Sequence, residues 1–126
     1  FYAISQCYQQ AVFTVGQAKG KKGIYQCEDY AFSYLIQLLR SQEFVPALLH
    51  PALHILEQYD EIMNTDLRNS LSVYLRKEGN ILQAAQELKV HRNTLKYRLR
   101  RIQELTDLKL EDENELAYLR LSDWLE

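Results

Sequence analysis

Residues 80–102, with the sequence NILQAAQELKVHRNTLKYRLRRI, contain the pattern that decides the fold of this chain. Asn80 suits the N-cap of a helix, and Gln83 three residues later completes a capping box. The apolar residues of this short helix fall on one face: Ile81, Ala84, Ala85 and Leu88. Lys89 and Val90 then turn the chain toward a second helix.

The second helix of the pair is predicted to begin at about His91. It would bury three apolar residues: Leu95, Leu99 and Ile102. Two helices that cross at about 90–120° approach closely, and small residues such as Ala84 and Ala85 allow that approach. A short supporting helix, a tight turn and a basic helix together predict a helix-turn-helix unit.

Helices are also predicted on both sides of this pair. The preceding helix would be capped by Asn64 or Thr65 and would stop at Gly79, since glycine adopts the left-handed conformation easily. The last helix would begin at about Asp112. Their apolar faces comprise Leu67, Leu71, Tyr74 and Leu75 in the first helix, and Leu116, Leu119 and Trp124 in the last.

The first 62 residues predict a helical arm. Residues 1–18 have apolar side chains at near-helical spacing and lead into the polar stretch Gly16–Gly23. Ile24–Cys27 could form one short strand, which would pair with a missing part of the protein or with a second chain. The helical pattern resumes at Tyr30. Pro51 suits the first turn of a further helix.

These patterns predict a mainly all-α fold. We expect a helix-turn-helix bundle over residues 63–126, an N-terminal helical arm over residues 1–62 and at most one short strand. The length of 126 residues suits one domain with such an arm. Because the chain begins at Phe1 and not at methionine, we expect it to be cut from a longer protein.

The formal net charge of −2 hides three parts of different sign. Residues 1–62 sum to −2, residues 63–103, with nine Lys and Arg against three acids, to +6, and residues 104–126 to −6. Residues 91–101, HRNTLKYRLRR, hold five Lys and Arg and no acid. Because polyanion binding depends on the local field, this basic segment indicates a nucleic-acid contact.

With its apolar residues buried, the second helix must expose Arg92, Asn93, Lys96 and Arg100. Either Tyr97 or Arg98 could extend this face. A helix fits the DNA major groove, where Arg and Lys reach guanine acceptors and Asn reads adenine. Thr94 offers a hydroxyl group to a phosphate or a methyl group to thymine. We therefore expect residues from about 91 to 104 to form a recognition helix for double-stranded DNA.

Three residues of this helix have an alternative role within the fold. Arg98 and Arg101 can pair with Glu104 or with the acidic tail, and His91 can cap the helix as readily as it can touch DNA.

Residues 67–110 resemble the C-terminal helix-turn-helix of the PucR/CdaR family of bacterial transcriptional regulators, most clearly over residues 80–102, where the likeness has no gap. The stretches CYQQAVFTVGQ, GIYQCEDY and FVPALLHPALHILEQYD are similar to the tail of the GGDEF-like region that usually precedes this domain. A more distant similarity relates the pattern R-x-T-L-x-x-x-L, which begins at Arg92, to the DNA-binding end of the factor for inversion stimulation.

The resemblance implies a cytoplasmic, ligand-responsive regulator of catabolic or biosynthetic genes, with its small-molecule effector sensed upstream of these residues. It also implies which residues lie nearest the DNA: His91, Arg92, Thr94, Lys96 and Tyr97. Asp107 stands where the family often has glycine. Since Asp tolerates the left-handed conformation, we expect the helix end to survive with a weaker cap.

Other classes of protein find little support in the sequence. No Ser–His–Asp order, phosphate loop or paired-carboxylate pattern stands out, so we expect no enzyme, no catalytic residue and no cofactor. His50, His54 and Glu57 could share a helix face as metal ligands, but Pro51 interrupts that helix and we expect no metal site. No apolar run approaches the ~18–20 residues that span a membrane.

We expect the protein to bind DNA as a homodimer on two half-sites, because one module of this size gives limited specificity. Leu35, Leu38 and Leu39, or the acidic last helix with Trp124, could supply the dimer surface. The alternative function is a protein-interaction module whose basic helix docks on an acidic partner. Binding of RNA is less favoured, because the sequence suggests no exposed aromatic platform.

Overall fold

A computed structural model describes residues 2–18, 20 and 23–126 of the chain. Within these residues it contains seven α-helices and no β-strand, which confirms the all-α fold. The chain divides into two compact units, Phe1–Val45 and Pro46–Glu126. The sequence predicts a different kind of boundary between residues 62 and 63, where the tail of the GGDEF-like region would end and the helix-turn-helix domain would begin. That boundary stays a prediction.

The first unit contains helices α1 (Tyr2–Gln17) and α2 (Ala31–Arg40), joined in part by a 3-10 turn at Cys27–Tyr30. The rings of Phe13 in α1 and Tyr34 in α2 pack against each other, 5.2 Å apart between centroids and tilted by 47°. The prediction of a strand at Ile24–Cys27 is wrong. No extended segment among the described residues pairs with it, and a strand without a partner is not stable.

The second unit holds five helices around one apolar core: α3 (Pro51–Met63), α4 (Leu67–Arg76), α5 (Ile81–Glu87), α6 (Arg92–Thr106) and α7 (Glu113–Leu125). Helix α4 lies at the centre and packs against the other four. The large apolar side chains with at most 1% of their surface exposed are Leu53, Leu56, Leu71, Leu95, Ile102 and Leu119. The predicted apolar faces of α4, α5 and α6 all contribute to this core.

The start of α4 differs from its prediction. Asn64 has the left-handed backbone conformation, with φ of 51°, and ends α3 instead of capping α4. Asp66 holds the N-cap position but makes no capping hydrogen bond with its side chain. The first amides of α4 instead donate to the carboxylate of Asp60 in α3, from Leu67 at 2.9 Å and from Arg68 at 2.8 Å.

The turn between α4 and α5 agrees more closely with its prediction. Helix α4 ends at Arg76, and the chain then turns through Gly79, whose φ of 79° favours glycine. Asn80 caps α5, since its side chain accepts from the N–H of Gln83 at 3.1 Å. The reciprocal half of the predicted capping box is not formed, because the N–H of Asn80 donates to the carbonyl oxygen of Lys77 at 2.8 Å.

His50 connects the start of α3 to α7. Its backbone N–H donates to the hydroxyl oxygen of Ser122 at 2.9 Å, and its ring nitrogen Nδ1 accepts from the N–H of Ala52 at 3.2 Å. Its ring also lies 4.7 Å from the ring of Tyr118, between centroids. The imidazole therefore serves as a partly buried N-cap, which needs an unprotonated Nδ1.

The second unit is expected to lose stability as the pH falls below 6.5, the ordinary pKa of histidine. Burial lowers the pKa of His50, although Glu115 partly opposes the shift, so the unfolded chain binds this proton more readily than the folded protein. Protonation also removes a cap worth about 1 kcal/mol. Urea unfolding of His50→Asn, which retains an acceptor and does not titrate, should depend less on pH between about 7 and 5. An equal dependence in both proteins would contradict this role.

Candidate nucleic-acid interface

The exposed face of α6 follows from how its other face is buried. Leu95, Leu99 and Ile102 are 0–6% exposed and point into the core. The supporting helix α5 contributes Ala84 and Ala85, which are 0% and 4% exposed. Their small side chains let the two helices pack closely, as the sequence predicted.

The turn between α5 and α6 orients the start of the candidate recognition helix. Lys89 has a φ of 55°, and the N–H of Val90 donates to the carbonyl oxygen of Ala85 at 3.0 Å. His91 then takes the N-cap position, with Nδ1 accepting from the N–H of Asn93 at 3.2 Å. The predicted role of His91 as a cap is therefore confirmed, and its contact with DNA stays a prediction.

The residues predicted to contact DNA are all exposed and lie close together on α6. At about 100° per residue, five of them cover an arc of about 140° on the outer face. These five are Arg92, Asn93, Lys96, Tyr97 and Arg100. Thr94 is exposed on the adjoining flank, and His91 lies at the end of the helix. Their contacts with DNA stay a prediction.

Ion pairs divide the nine cations of residues 63–103 into two groups. Five are paired with acidic side chains: Arg68, Arg76, Lys77, Arg98 and Arg101. The other four form no ion pair or side-chain hydrogen bond with any residue among 2–18, 20 and 23–126: Lys89, Arg92, Lys96 and Arg100. The uncompensated positive charge is thus concentrated on the turn and the outer face of α6.

The pairing of Arg76 and Lys77 shows how cations away from α6 are neutralised. Both donate to Glu87 at the end of α5, each at 2.8 Å. Hydrogen bonds from Lys77 and then Arg76 lower the pKa of the Glu87 carboxyl group. This acid therefore stays charged at neutral pH and holds the C-terminal ends of α4 and α5 together.

Arg98 and Arg101 hold the inner flank of α6 against α3 and α4. Arg98 donates to the hydroxyl oxygen of Ser70 at 2.8 Å and lies 3.4 Å from Oδ2 of Asp66. Its predicted partners, Glu104 or the acidic tail, are therefore wrong. Asp66 and Ser70 lie 32 and 28 residues earlier in the chain, so no local pattern in the sequence predicts these contacts.

The predicted pair of Arg101 with Glu104 is confirmed, with 3.0 Å between nitrogen and oxygen. The guanidinium also donates to the hydroxyl oxygen of Tyr59 at 3.3 Å and lies 5.5 Å from the centroid of its ring. Hydrogen bonds to Tyr59 and Glu104 raise the pKa of Arg101. Sequence analysis missed Tyr59 as a support of this helix, because it lies 42 residues away.

Two open grooves run beside the outer face of α6. One, of about 540 Å³, lies between the flank at Thr94 and Tyr97 and the turn from α3 to α4. The other, of about 370 Å³, has Lys96 and Arg100 among its lining residues and lies toward Tyr74 and Leu110. The outer face thus forms a ridge with open space on both sides, a shape that can enter a groove of DNA.

The end of α6 confirms that the helix end survives with Asp107, whereas the weaker cap stays a prediction. This residue ends the helix with a left-handed φ of 55°, and its N–H donates to the carbonyl oxygen of Gln103 at 2.9 Å. A non-glycine residue therefore serves where the resembling family often has glycine.

The residues considered as metal ligands do not form a common site. His50 contacts Ser122 and Ala52, whereas His54 is exposed, with Nδ1 4.0 Å from a carboxylate oxygen of Glu57. Among the residues that the structure describes, no three His, Cys, Asp or Glu side chains are grouped to hold a metal ion. The same residues include no helix with the length and apolar character needed to cross a membrane.

Comparison with known proteins gives a family match over the second unit. The family model of the PucR C-terminal helix-turn-helix domain matches residues 60–122. This range includes the last turn of α3, all of α4, α5 and α6, and most of α7. No solved structure gives a significant match to the chain.

Three curated regulators are similar to the chain. The proline-responsive transcriptional activator PutR of Bacillus subtilis (strain 168) is 34% identical over 73% of this chain and 20% of its own length. The DNA-binding transcriptional activator AdeR of the same organism is 24% identical over 89% of this chain and 28% of its own. The carbohydrate diacid regulator of Escherichia coli (strain K12) is 33% identical over 94% of this chain and 31% of its own.

The chain thus spans between a fifth and a third of the length of these relatives. The matches indicate a family of helix-turn-helix regulators and not a family of enzymes. Together with the buried and exposed faces of α5 and α6, these matches support a DNA-binding regulatory domain. The chain belongs to the family of the PucR C-terminal helix-turn-helix domain.

Proposed function

We propose that this domain binds double-stranded DNA in a sequence-specific manner, with α6 as the recognition helix in the major groove. One observation carries the proposal. The four cations of residues 63–103 that have no acidic partner among the described residues are those of the turn and outer face of α6: Lys89, Arg92, Lys96 and Arg100. Such a concentration of uncompensated charge on an exposed helix suits a polyanion.

The residues of α6 have different roles in this proposal. Arg92 and Asn93 lie in the first turn, the part of a recognition helix that contacts base edges, and they suit guanine and adenine. Lys96 and Arg100 follow at intervals of four residues and attract phosphates. Thr94 and Tyr97 present hydroxyl groups to the backbone of one strand. His91 caps the start of the helix through Nδ1, so only the side of its ring away from Nδ1 can reach DNA.

We further propose that the domain acts as a homodimer on two half-sites about one DNA turn, or ~34 Å, apart. The complete regulator would work in the cytoplasm, respond to a small molecule and use no catalysis. The names of two relatives, a proline-responsive activator and a carbohydrate diacid regulator, support ligand response in proteins of this kind. No residue of this chain is assigned to the effector.

Selection of bound sites from a random duplex pool tests the proposal. We expect enrichment of a motif with two-fold symmetry. A folded protein that enriches no motif would overturn sequence-specific binding by this chain. Binding of the same helix to an acidic protein would then support the alternative, a protein-interaction module. The acidic segment 104–126 of a neighbouring copy, with its eight acids, is one such partner.

Arg92→Ala is expected to weaken binding to the selected site by about 5- to 150-fold, the equivalent of 1–3 kcal/mol for a lost base contact. Lys96→Ala, which loses a phosphate contact, is expected to weaken binding to all duplex sequences to a similar extent. Both side chains are exposed and unpaired, so circular dichroism and thermal stability should not change. Lys109→Ala removes one exposed positive charge outside α6 and is the matched control. Fluorescence anisotropy at fixed salt measures all three. Binding at full strength by both α6 variants would refute the recognition helix.

A further inference from the structure

The two flanks of α6 differ in the charge that they leave for a ligand. At about 100° per residue, Arg92, Lys96 and Arg100 lie within about 80° of one another. None of the three has an acidic partner among residues 2–18, 20 and 23–126. Arg98 and Arg101 lie on the other flank and are paired with acidic side chains. The unpaired cations of this helix are therefore on one side, which we call the unpaired flank.

A groove of about 370 Å³ opens beside the unpaired flank. Its lining includes Lys96 and Arg100 of α6, Tyr74 of α4, and Glu111 from the loop before α7. The larger groove, on the opposite flank, is lined by the two paired cations of α6. Of these two grooves, only the smaller one combines a concave surface with unpaired cations of α6. We call it the Tyr74 groove.

Tyr74 offers a hydrogen-bond donor to this groove. Its hydroxyl group makes no hydrogen bond with any residue that the structure describes, and it is not sealed from solvent. Burial and then the charge of Glu111 raise the pKa of Tyr74, although Arg120 opposes the shift. The hydroxyl group therefore keeps its proton at neutral pH and can donate it in a hydrogen bond to an anion.

Arg120 of α7 adds positive charge near Tyr74. It forms no ion pair or side-chain hydrogen bond with the described part of the chain, and its Nε is buried without a partner. Its charge acts on the Tyr74 hydroxyl group, so the two groups are close. Three unpaired cations, Lys96, Arg100 and Arg120, thus stand against one acid, Glu111. The net charge in and beside the Tyr74 groove is positive and attracts an anion.

The position of the groove indicates which anion it takes. A helix in the major groove of DNA, which is about 12 Å wide, has the phosphate backbone of one strand on each side. The Tyr74 groove lies along the unpaired flank of α6 and therefore faces one of these strands. Lys96 and Arg100 are about 6 Å apart along the helix axis, so they can follow an extended backbone and not only one isolated ion.

We propose that the Tyr74 groove receives the phosphodiester backbone of one DNA strand, and that the Tyr74 hydroxyl group donates to one of its phosphate oxygens. Lys96 and Arg100 supply the positive charge of this contact, and Glu111 weakens it by repulsion. The inference rests on the proposed function and adds the surface that holds one strand. It also assigns a part in DNA binding to Tyr74, which lies in α4, outside the helix-turn-helix pair.

Tyr74→Phe tests the donor, because it removes only the hydroxyl group. Fluorescence anisotropy with a random-sequence duplex at low salt should show binding about 3- to 10-fold weaker, as expected for one lost hydrogen bond. Tyr8→Phe makes the same change in α1 and should bind like the unmodified chain. Because the Tyr74 hydroxyl group has no partner among the described residues, urea unfolding of Tyr74→Phe should change little.

Glu111→Gln tests the repulsion through a gain of affinity. Removing this acid from the groove should strengthen binding to the same duplex by about 2- to 5-fold at low salt, and the gain should shrink as salt is added. Glu113→Gln is the matched control. It removes the same charge from an exposed residue two positions later that does not line the groove, so its gain should be smaller.

Two results would overturn the groove contact: equal affinities of Tyr74→Phe and the unmodified chain, or equal gains of the two glutamine variants. If the unmodified chain binds no duplex at all, the proposed function fails and this inference fails with it. If it binds duplex and loses affinity through Arg92→Ala but not through Tyr74→Phe, only the groove contact fails.

Inorganic phosphate distinguishes a free anion from a DNA strand. Phosphate and chloride at equal ionic strength should inhibit duplex binding equally, because the groove is expected to hold a strand and not a single ion. Stronger inhibition by phosphate that disappears in Tyr74→Phe would show a site for a free anion and would overturn the proposal.

Discussion

Replacing Leu71 by alanine is expected to lower the free energy of unfolding of the second unit by about 2–5 kcal/mol. Leu71 is 0% exposed and lies in α4, the helix that packs against α3, α5, α6 and α7. The substitution removes three heavy atoms from a site where several helices meet, so the cavity cannot close by a shift of one neighbour. For a unit of this size the midpoint of thermal unfolding should fall by about 8 °C or more.

Leu82→Ala provides the matched control. It makes the same chemical change in α5, where the side chain is 59% exposed. Its effect should stay within about 0.5 kcal/mol. Equal losses in the two variants, measured by urea unfolding with a tryptophan or circular-dichroism signal, would show that α4 is not the centre of the core.

Replacing Asp60 by alanine is expected to cost about 1.5–3 kcal/mol, because the carboxylate accepts charge-assisted hydrogen bonds from two backbone amides of α4. These amides belong to Leu67 and Arg68, and the hydroxyl group of Thr65 donates to the same carboxylate. Removing the acceptor leaves the start of α4 without a side-chain cap, since Asp66 makes none.

Two further variants separate this cap from a general loss of charge. Glu61→Ala removes the next acid of α3, which is exposed, and should change stability by less than about 0.5 kcal/mol. Asp60→Asn retains one accepting oxygen and should fall between the two. If Asp60→Ala and Glu61→Ala unfold at the same urea concentration, the carboxylate does not cap α4.

The sequence was sufficient for the elements whose signals are local. The apolar spacing of α5 and α6, the Asn80 cap, the Gly79 turn and the left-handed end at Asp107 all depend on residues within a few positions of each other. The exposed face of α6 followed as well, because burying Leu95, Leu99 and Ile102 leaves no other orientation for the remaining side chains.

Predictions that needed distant partners were incomplete or wrong. The sequence predicts the cap of α4 at residues 64 and 65, directly before the helix, but the cap comes from Asp60 in the preceding helix. Arg98 was paired with acids after it in the chain, whereas its partners lie at the start of α4. A strand at Ile24–Cys27 needs a pairing strand, and the described residues contain none.

The sequence by itself thus determined that this is a helix-turn-helix protein with a basic outer face, since helix periodicity, turn residues and local charge are properties of neighbouring positions. Only the tertiary structure decided which acids neutralise the other cations. The sequence already predicted Arg92, Lys96 and Arg100 on the outer face of α6, but packing brings Asp66, Glu87 and Asp123 to cations at other positions. Among the described residues this leaves unpaired the four cations of the turn and outer face of α6. The physical reason is that an ion pair requires proximity in space, and folding creates that proximity between residues far apart in the chain.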